Sequence, residues 1–440
     1  MSADGGSADR GLRRDIGLTG SAFLAFNGIV GAGIFILPGA LHQDFGAFAP
    51  WLFPLFGLLV LVIALPFARL AAAFPQSGGP VAYTAAFGPL AAFQVGWLYY
   101  LARITALAAN ANAFATYAGA LWPPLGTMAG RAAVIAALVG ALTFVNIVGV
   151  KRAIRALDAL TLMKALPLIG LAIWGLSHAA EGIPPPGAPP ALSALEASAL
   201  AILYAFVGFE NSVVPAGETR DPGRTIPRAL IATIVATAAL YFLVQLAYSA
   251  TMPAGPKPDA PLAAFAQALI GRDGFIILSI AALASVAGNV SGSMTSTPRV
   301  TYALATQGSL PRWFGAVSAR FATPANSILF MGLAGIALAV SGSFLWLAIV
   351  STLARLVVYA ACILALPRAR PGAASLALAA AGLAVCVYAA AQSKWGSWAM
   401  LGGALALGLA LYFLARRQAG SSSAATVSSI QPPPSTRSPS

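Results

Sequence analysis

Apolar residues run along this chain in long blocks, separated by short stretches that carry glycine, proline and charge. A bilayer core of about 30 Å takes about 20 apolar residues as a helix. Twelve blocks reach that length: 16–41, 46–73, 81–120, 129–149, 155–178, 193–216, 228–252, 273–307, 324–342, 344–367, 372–391 and 393–415. The third and eighth exceed the bilayer thickness and are expected to tilt or protrude. The first is long, broken by glycine and followed by eleven more, unlike a cleavable signal peptide. Residues 1–15 are small and polar, with three arginines close to the first block. Residues 416–440 are rich in Ser and Pro and read as a disordered tail. Between the seventh and eighth blocks, Pro261 to Leu269 reads as a short helix on the outer face.

Charge sharpens this picture. Of 440 residues, 59% are hydrophobic and 8% charged, against about 25% charged in an average soluble domain. The surface must therefore face lipid, which predicts an all-α integral membrane protein and excludes a soluble enzyme. With the N-terminus in the cytoplasm, seventeen Lys and Arg fall on the inner side, four on the outer side and four within spans, accounting for all 25. That asymmetry predicts twelve spans with both termini inside. It also accounts for the net charge of +13 without nucleic acid, since the basic residues are scattered over loops. Cys362 and Cys386 lie in apolar runs, and His42 and His178 lie far apart. No disulfide framework, metal centre or cofactor is expected from them.

Two segments carry the candidate chemistry. The first span contains Gly31 and Gly33 at mid-depth, where glycine costs about 1 kcal/mol relative to alanine in a helix. The sixth contains Gly208 and Glu210. An ionisable residue at that depth is a functional candidate by default. It also has a structural reading, as a cap for the half-helix that follows the break. The two interruptions occupy corresponding places in two sets of five spans, the pattern that marks a transporter's midplane site. Unwound backbone exposes N–H groups that attract a carboxylate and carbonyls that accept from an ammonium group. A pair of breaks thus suits a zwitterion.

Two motifs resemble the amino acid permeases of the amino acid/polyamine/organocation (APC) superfamily. One is Gly31-Ala32-Gly33-Ile34-Phe35 followed by Leu37-Pro38-Gly39. The other is Phe206-Val207-Gly208-Phe209-Glu210 followed by Gly217-Glu218-Thr219-Arg220-Asp221-Pro222. The likeness runs from about residue 15 to 415. The resemblance implies two inverted five-helix repeats (16–179 and 193–367), two peripheral helices (372–415), and first and sixth helices broken at the midplane. It implies alternating access around a site between the first, third, sixth, eighth and tenth spans. By the family's pattern, a substrate carboxylate would meet N–H groups around Gly31, Ala32 and Gly33. Its ammonium would meet carbonyls near Ile29, Phe206 and Phe209, with Tyr204 and Phe206 forming an aromatic gate and side-chain pocket. Lys164 matches a position where some proton-coupled members carry a lysine, beside the first and eighth helices, in place of the sodium of other members.

Two readings of Lys164 stand open: proton coupling, or a stem that snorkels toward the cytoplasm. Arg103 and Arg355 lie deep in the third and tenth spans and need carboxylate or carbonyl partners. Glu210 is the one mid-span acid available to them, so one arginine can pair with it and the other must use carbonyls, water or substrate. A cationic substrate would want a free carboxylate, and the spans carry no excess of acid. The expectation is a secondary transporter of neutral amino acids in the plasma (bacterial inner) membrane. Its partners would be the amino acid, protons and the lipid bilayer. Proton symport is the main expectation, with amino acid exchange, including exchange of cationic amino acids and amines, as the alternative. An enzyme is not expected, because no Ser/His, zinc or paired-acid constellation falls at one depth. A channel, the weaker rival, is expected to show a pore lined continuously with polar groups, and saturable flux with counterflow separates a carrier from it.

Overall fold

A computed structural model describes residues 14–75, 78–149, 153–179, 182, 185–253, 255 and 257–428. Fifteen α-helices follow in chain order: α1 (Leu18–Ile29), α2 (Gly33–Phe45), α3 (Leu52–Ala73), α4 (Pro80–Thr84), α5 (Pro89–Leu121), α6 (Met128–Val148), α7 (Ala153–Ser177), α8 (Leu192–Tyr204), α9 (Pro222–Thr251), α10 (Pro261–Ser296), α11 (Pro298–Thr306), α12 (Ala325–Ser341), α13 (Phe344–Ala369), α14 (Ala373–Ala391) and α15 (Trp395–Ser428). No strand occurs among the described residues. One isolated parallel bridge joins Ile16, before α1, to Thr219, before α9.

Eight helical stretches of the described chain are long and apolar enough to cross a bilayer. Several of the twelve apolar blocks divide or gain polarity for local reasons. The first splits into α1 and α2, of 12 and 13 residues. In the third, α4 and a 3-10 turn (Ala85–Phe87) precede Gly88 and Pro89, and the proline opens the new helix α5. Helix α5 spans 33 residues but carries Arg103, Asn110 and Asn112, which lower its hydropathy. The sixth block ends its α-helix at Tyr204. A 3-10 turn (Phe209–Ser212) and another (Ala216–Glu218) then follow in place of the expected second half-helix. Local side-chain bonds compete with helix there: Glu210 accepts from the Gly208 N–H and Ser212 donates to the Phe209 carbonyl. Pro215 also lacks an N–H.

Within α10, Ile270 and Gly271 leave helical geometry, which sets Pro261–Leu269 apart as a short helix. Helix α15 continues through residues 416–428, which the sequence assigns to a disordered tail. Residues 1–13 and 429–440, the rest of the two terminal segments, lie outside the described residues.

Helix α5 forms the axis of the bundle, packed along α13, α10 and α12. Helix α3 packs along α9 and α14, and α7 against α9 and α10. Large apolar side chains such as Leu58, Ile173, Leu333 and Phe413 stay exposed on the periphery. In water so many exposed apolar groups would drive association; on a bilayer-embedded bundle they face lipid.

Candidate functional site

The two interrupted segments cross backbone to backbone. Helix α1 ends at Ile29, and Val30 turns out of helical geometry (φ −76°, ψ 89°) before α2 starts at Gly33. In the sixth segment, Gly208 takes φ +112° after the turn that ends α8. A Cβ on Gly28 would fall on the Gly208 carbonyl, and one on Gly208 would fall on the Gly28 carbonyl. Beside this crossing, a Cβ on Gly33 would come within 3.0 Å of the Ala205 Cα. Small residues thus allow the two breaks to touch, which makes the unwound stretches one composite site.

Four asparagines, from four elements, surround the breaks; two of them, Asn110 and Asn289, satisfy broken backbone groups, and the other two receive the cations Lys164 and Arg103. The Ala32 N–H donates to Asn110 Oδ1 of α5 at 3.0 Å, and Asn110 Nδ2 lies 3.3 Å from the Tyr204 hydroxyl. Asn289 of α10 donates to the Asn27 carbonyl at 3.1 Å. Asn27 Oδ1 accepts from Lys164, and Asn211 Oδ1 accepts from Arg103 at 2.7 Å. An amide side chain carries a donor and an acceptor, so it can satisfy either kind of orphaned backbone group. The sequence signal for Asn27, Asn110 and Asn211 is an uncharged polar side chain at mid-depth, which attention to ionisable groups alone passes over.

Lys164 is buried, 1% exposed. Its ammonium donates to Asn27 Oδ1 and, at 3.3 Å, to the Val30 carbonyl. Both acceptors belong to the carbonyl end of α1, where the helix dipole is negative. Among the described residues Lys164 has no carboxylate partner. The side chain therefore points into the first break and does not snorkel.

Glu210 is fully buried and pairs with Arg355, Nε to Oε1 at 3.0 Å. Its Oε2 accepts from the Tyr359 hydroxyl at 2.8 Å and the Gly208 N–H at 3.0 Å. Arg355 also donates to the Ala102 carbonyl at 3.2 Å and to Ser351. Glu210 is thus an ion-pair partner that also takes the Gly208 N–H, while the half-helix it is expected to cap is replaced by a 3-10 turn. Arg103 uses neutral acceptors only: Asn211, Thr297 and Ser296.

A cavity of about 420 Å³ reaches from the crossing to the end of the bundle that holds Ile16, Pro215 and Glu218. That volume lies in the range of small-molecule sites, about 300–1,000 Å³. Of the residues singled out from sequence, Ile29, Gly31, Gly33, Tyr204, Arg103 and Arg355 line it. Ala32 lies behind Asn110, which takes its N–H. The helix geometry of α2 leaves the N–H groups of Gly33 and Ile34 without intrahelical acceptors. The Ile29 carbonyl accepts from Gly31 at 2.9 Å and from the Tyr241 hydroxyl at 3.4 Å. Phe206 and Phe209 are not among the lining residues. Phe206 packs on Phe53 and Tyr241, and Phe209 on Phe67 and Tyr359. Tyr204 stands edge-on to Phe344, with ring centroids 5.7 Å apart.

A lipid-facing helical bundle with a solvent-reaching cavity at two crossed chain breaks has the architecture of a multi-pass membrane carrier. A family model described as amino acid permease matches residues 16–414. An uncharacterized transporter of Mycobacterium tuberculosis is 30% identical over 426 residues, covering 92% of each chain. The methylthioribose transporter of Bacillus subtilis is 27% identical over 387 residues, 83% of this chain and 84% of its own. The serine/threonine exchanger of the same organism is 28% identical over 315 residues, 69% of this chain and 70% of its own. The chain belongs to the amino acid permease family of the APC superfamily. It is a membrane transporter and not an enzyme.

Proposed function

We propose that this chain is a twelve-helix, proton-coupled symporter of neutral amino acids, working by alternating access. In this reading, residues 16–179 and 193–367 form the two inverted repeats and 372–415 the peripheral helices. Both termini lie in the cytoplasm, and the membrane is the plasma (bacterial inner) membrane. The substrate carboxylate meets the N-terminal end of α2 at Gly33, displacing Asn110 from Ala32, and the ammonium meets the carbonyls beyond Ile29. A zwitterion is favoured by this polarity. A neutral side chain is favoured because Glu210 is already engaged by Arg355, Tyr359 and Gly208. With the termini inside, the cavity opens to the cytoplasm. On the other side, Tyr117 donates to the Phe35 carbonyl at 2.7 Å and Gln245 to the Pro38 carbonyl at 3.2 Å, holding α2 closed.

The observation that carries the coupling is the Lys164 ammonium at the first break, with only neutral acceptors. A proton on Lys164 favours the conformation in which Asn27 and the Val30 carbonyl converge on it; its loss removes that preference. A ligand shifts such an equilibrium by its differential affinity for the two states, and here the ligand is the proton. In proteoliposomes, uphill uptake of an amino acid chosen by a twenty-member thermal-shift screen is expected to need an inward proton gradient, to collapse with a protonophore and to ignore sodium. Lys164→Ala is expected to lose uphill uptake while retaining substrate binding. Undiminished proton-driven accumulation by Lys164→Ala, or accumulation driven by sodium, contradicts the proposal. Exchange is the second reading, favoured by similarity to the serine/threonine exchanger. It predicts uptake only into vesicles preloaded with amino acid.

A further inference from the structure

Arg103 sits on α5 seven residues before Asn110, hence about 10 Å along the helix from the first break. It lines the cavity between that break and the mouth, yet is 6% exposed. Its Nε donates to Thr297 Oγ1 at 3.1 Å, Nη1 to Asn211 Oδ1 at 2.7 Å and Nη2 to Ser296 Oγ at 3.0 Å. The Tyr99 ring lies 6.0 Å away. Every one of these partners is neutral. A guanidinium has five N–H donors, so two remain beyond these three bonds. The buried carboxylate of the region, Glu210, has its oxygens bonded by Arg355, Tyr359 and Gly208. Glu218 also lines the cavity but makes no ion pair with Arg103. The region thus holds two buried arginines and one buried carboxylate, which Arg355 takes, and the positive charge of Arg103 faces the cavity. A buried charge without a counter-charge is costly.

We propose that Arg103 is a carboxylate-binding station on the transport pathway, between the crossed breaks and the cavity mouth, and this rests on the reading of the chain as an amino acid transporter. The substrate leaves the α2 end and its carboxylate is held by the two remaining guanidinium donors before release. A guanidinium–carboxylate pair, in which both partners are ionised and two parallel N–H···O bonds can form, adds a counter-charge and a bidentate geometry that neutral acceptors do not supply. Arg103 also holds Asn211, whose amide would meet a Cβ on Gly28. The carboxylate has two possible sources: the α-carboxylate of any amino acid, or the side chain of an acidic one.

The test measures counterflow in oriented proteoliposomes for wild type, Arg103→Gln and Arg103→Lys. Substrates are the neutral amino acid found by screening, glutamate, and the neutral amino acid's amide, and Km is taken separately from each face. Arg103→Gln is expected to raise the Km from the cavity face about tenfold and to leave the other face within about twofold. Arg103→Lys, which keeps the charge, should recover part of the loss. It also serves as the readout if the glutamine variant fails to fold, through a several-fold rise at the cavity face alone. A rise shared by neutral and acidic substrates, with the amide insensitive, assigns the α-carboxylate; a rise for glutamate alone assigns the side chain. Unchanged cavity-face Km in either folded variant, with or without a lower Tm, overturns the proposal and leaves Arg103 a packing residue. A wild type that carries none of the twenty amino acids defeats the reading of its substrate as an amino acid instead.

Discussion

Glu210→Gln is expected to give a protein with clearly lower yield and a Tm in detergent several degrees below wild type. The carboxylate accepts three bonds, from Arg355 on one oxygen and from Tyr359 and Gly208 on the other. An amide of the same shape has one acceptor and one donor end. Whichever way it is placed, its NH₂ faces a donor: the guanidinium, or the hydroxyl and backbone N–H. Arg355, 2% exposed, also loses its counter-charge. Removing one member of a buried pair costs about 3–5 kcal/mol, a large part of the roughly 5–15 kcal/mol that keeps a typical domain folded. The double variant Glu210→Gln with Arg355→Gln should be more stable than the sum of the singles, because the orphaned charge is gone. Transport by whatever folded Glu210→Gln survives should persist, since the carboxylate does not line the cavity. Wild-type Tm in the single variant would sink the ion-pair role.

Glu210 is also a measure of how far local sequence reaches. A carboxylate at mid-span announces itself because burial without a partner is too costly, and the two deep arginines limit its possible partners to Arg103 or Arg355. Choosing between them needs the register of α13 against the sixth segment, which no local pattern encodes. Lys164 is similar: its depth is legible, while its direction depends on α7 lying against the first break. The limits of α6, α12, α13 and α14 follow hydrophobic length closely, because bilayer thickness imposes it, whereas α9 starts six residues before its apolar block, at Pro222. The path beyond Tyr204 is not legible. There, short-range side-chain bonds and Pro215 outweigh the apolar run that suggests a helix. Asn27, Asn110 and Asn211 around the breaks escape for a different reason. Each is unremarkable alone, and their role exists only where α1, α5, α10 and the sixth segment meet.

That meeting point bears the second large effect. Gly208→Ala is expected to abolish ligand-induced stabilisation and to lower the Tm sharply, whereas Gly140→Ala, in the middle of α6, should match or exceed wild type. The contrast isolates the cause, because both changes add the same methyl group. At Gly140 nothing lies within 4 Å of the new Cβ, and alanine gains about 1 kcal/mol over glycine in a helix. At Gly208 the backbone sits at φ +112°, where an L-residue is strained by about 1–2 kcal/mol. The added carbon also lands on the Gly28 carbonyl, which is backbone and cannot swing aside as a side chain can. Gly33→Ala should fall between the two, since its Cβ meets Ala205 at 3.0 Å and a shift of a few tenths of an ångström relieves it. Thermal shifts with and without a screened amino acid at about 100 times its Kd read both quantities, because bound ligand should add about 2.7 kcal/mol. The expected order of stability is Gly140→Ala, wild type, Gly33→Ala, Gly208→Ala. If Gly208→Ala keeps wild-type Tm and ligand response, the two breaks do not need backbone contact, and a site built on their crossing is wrong.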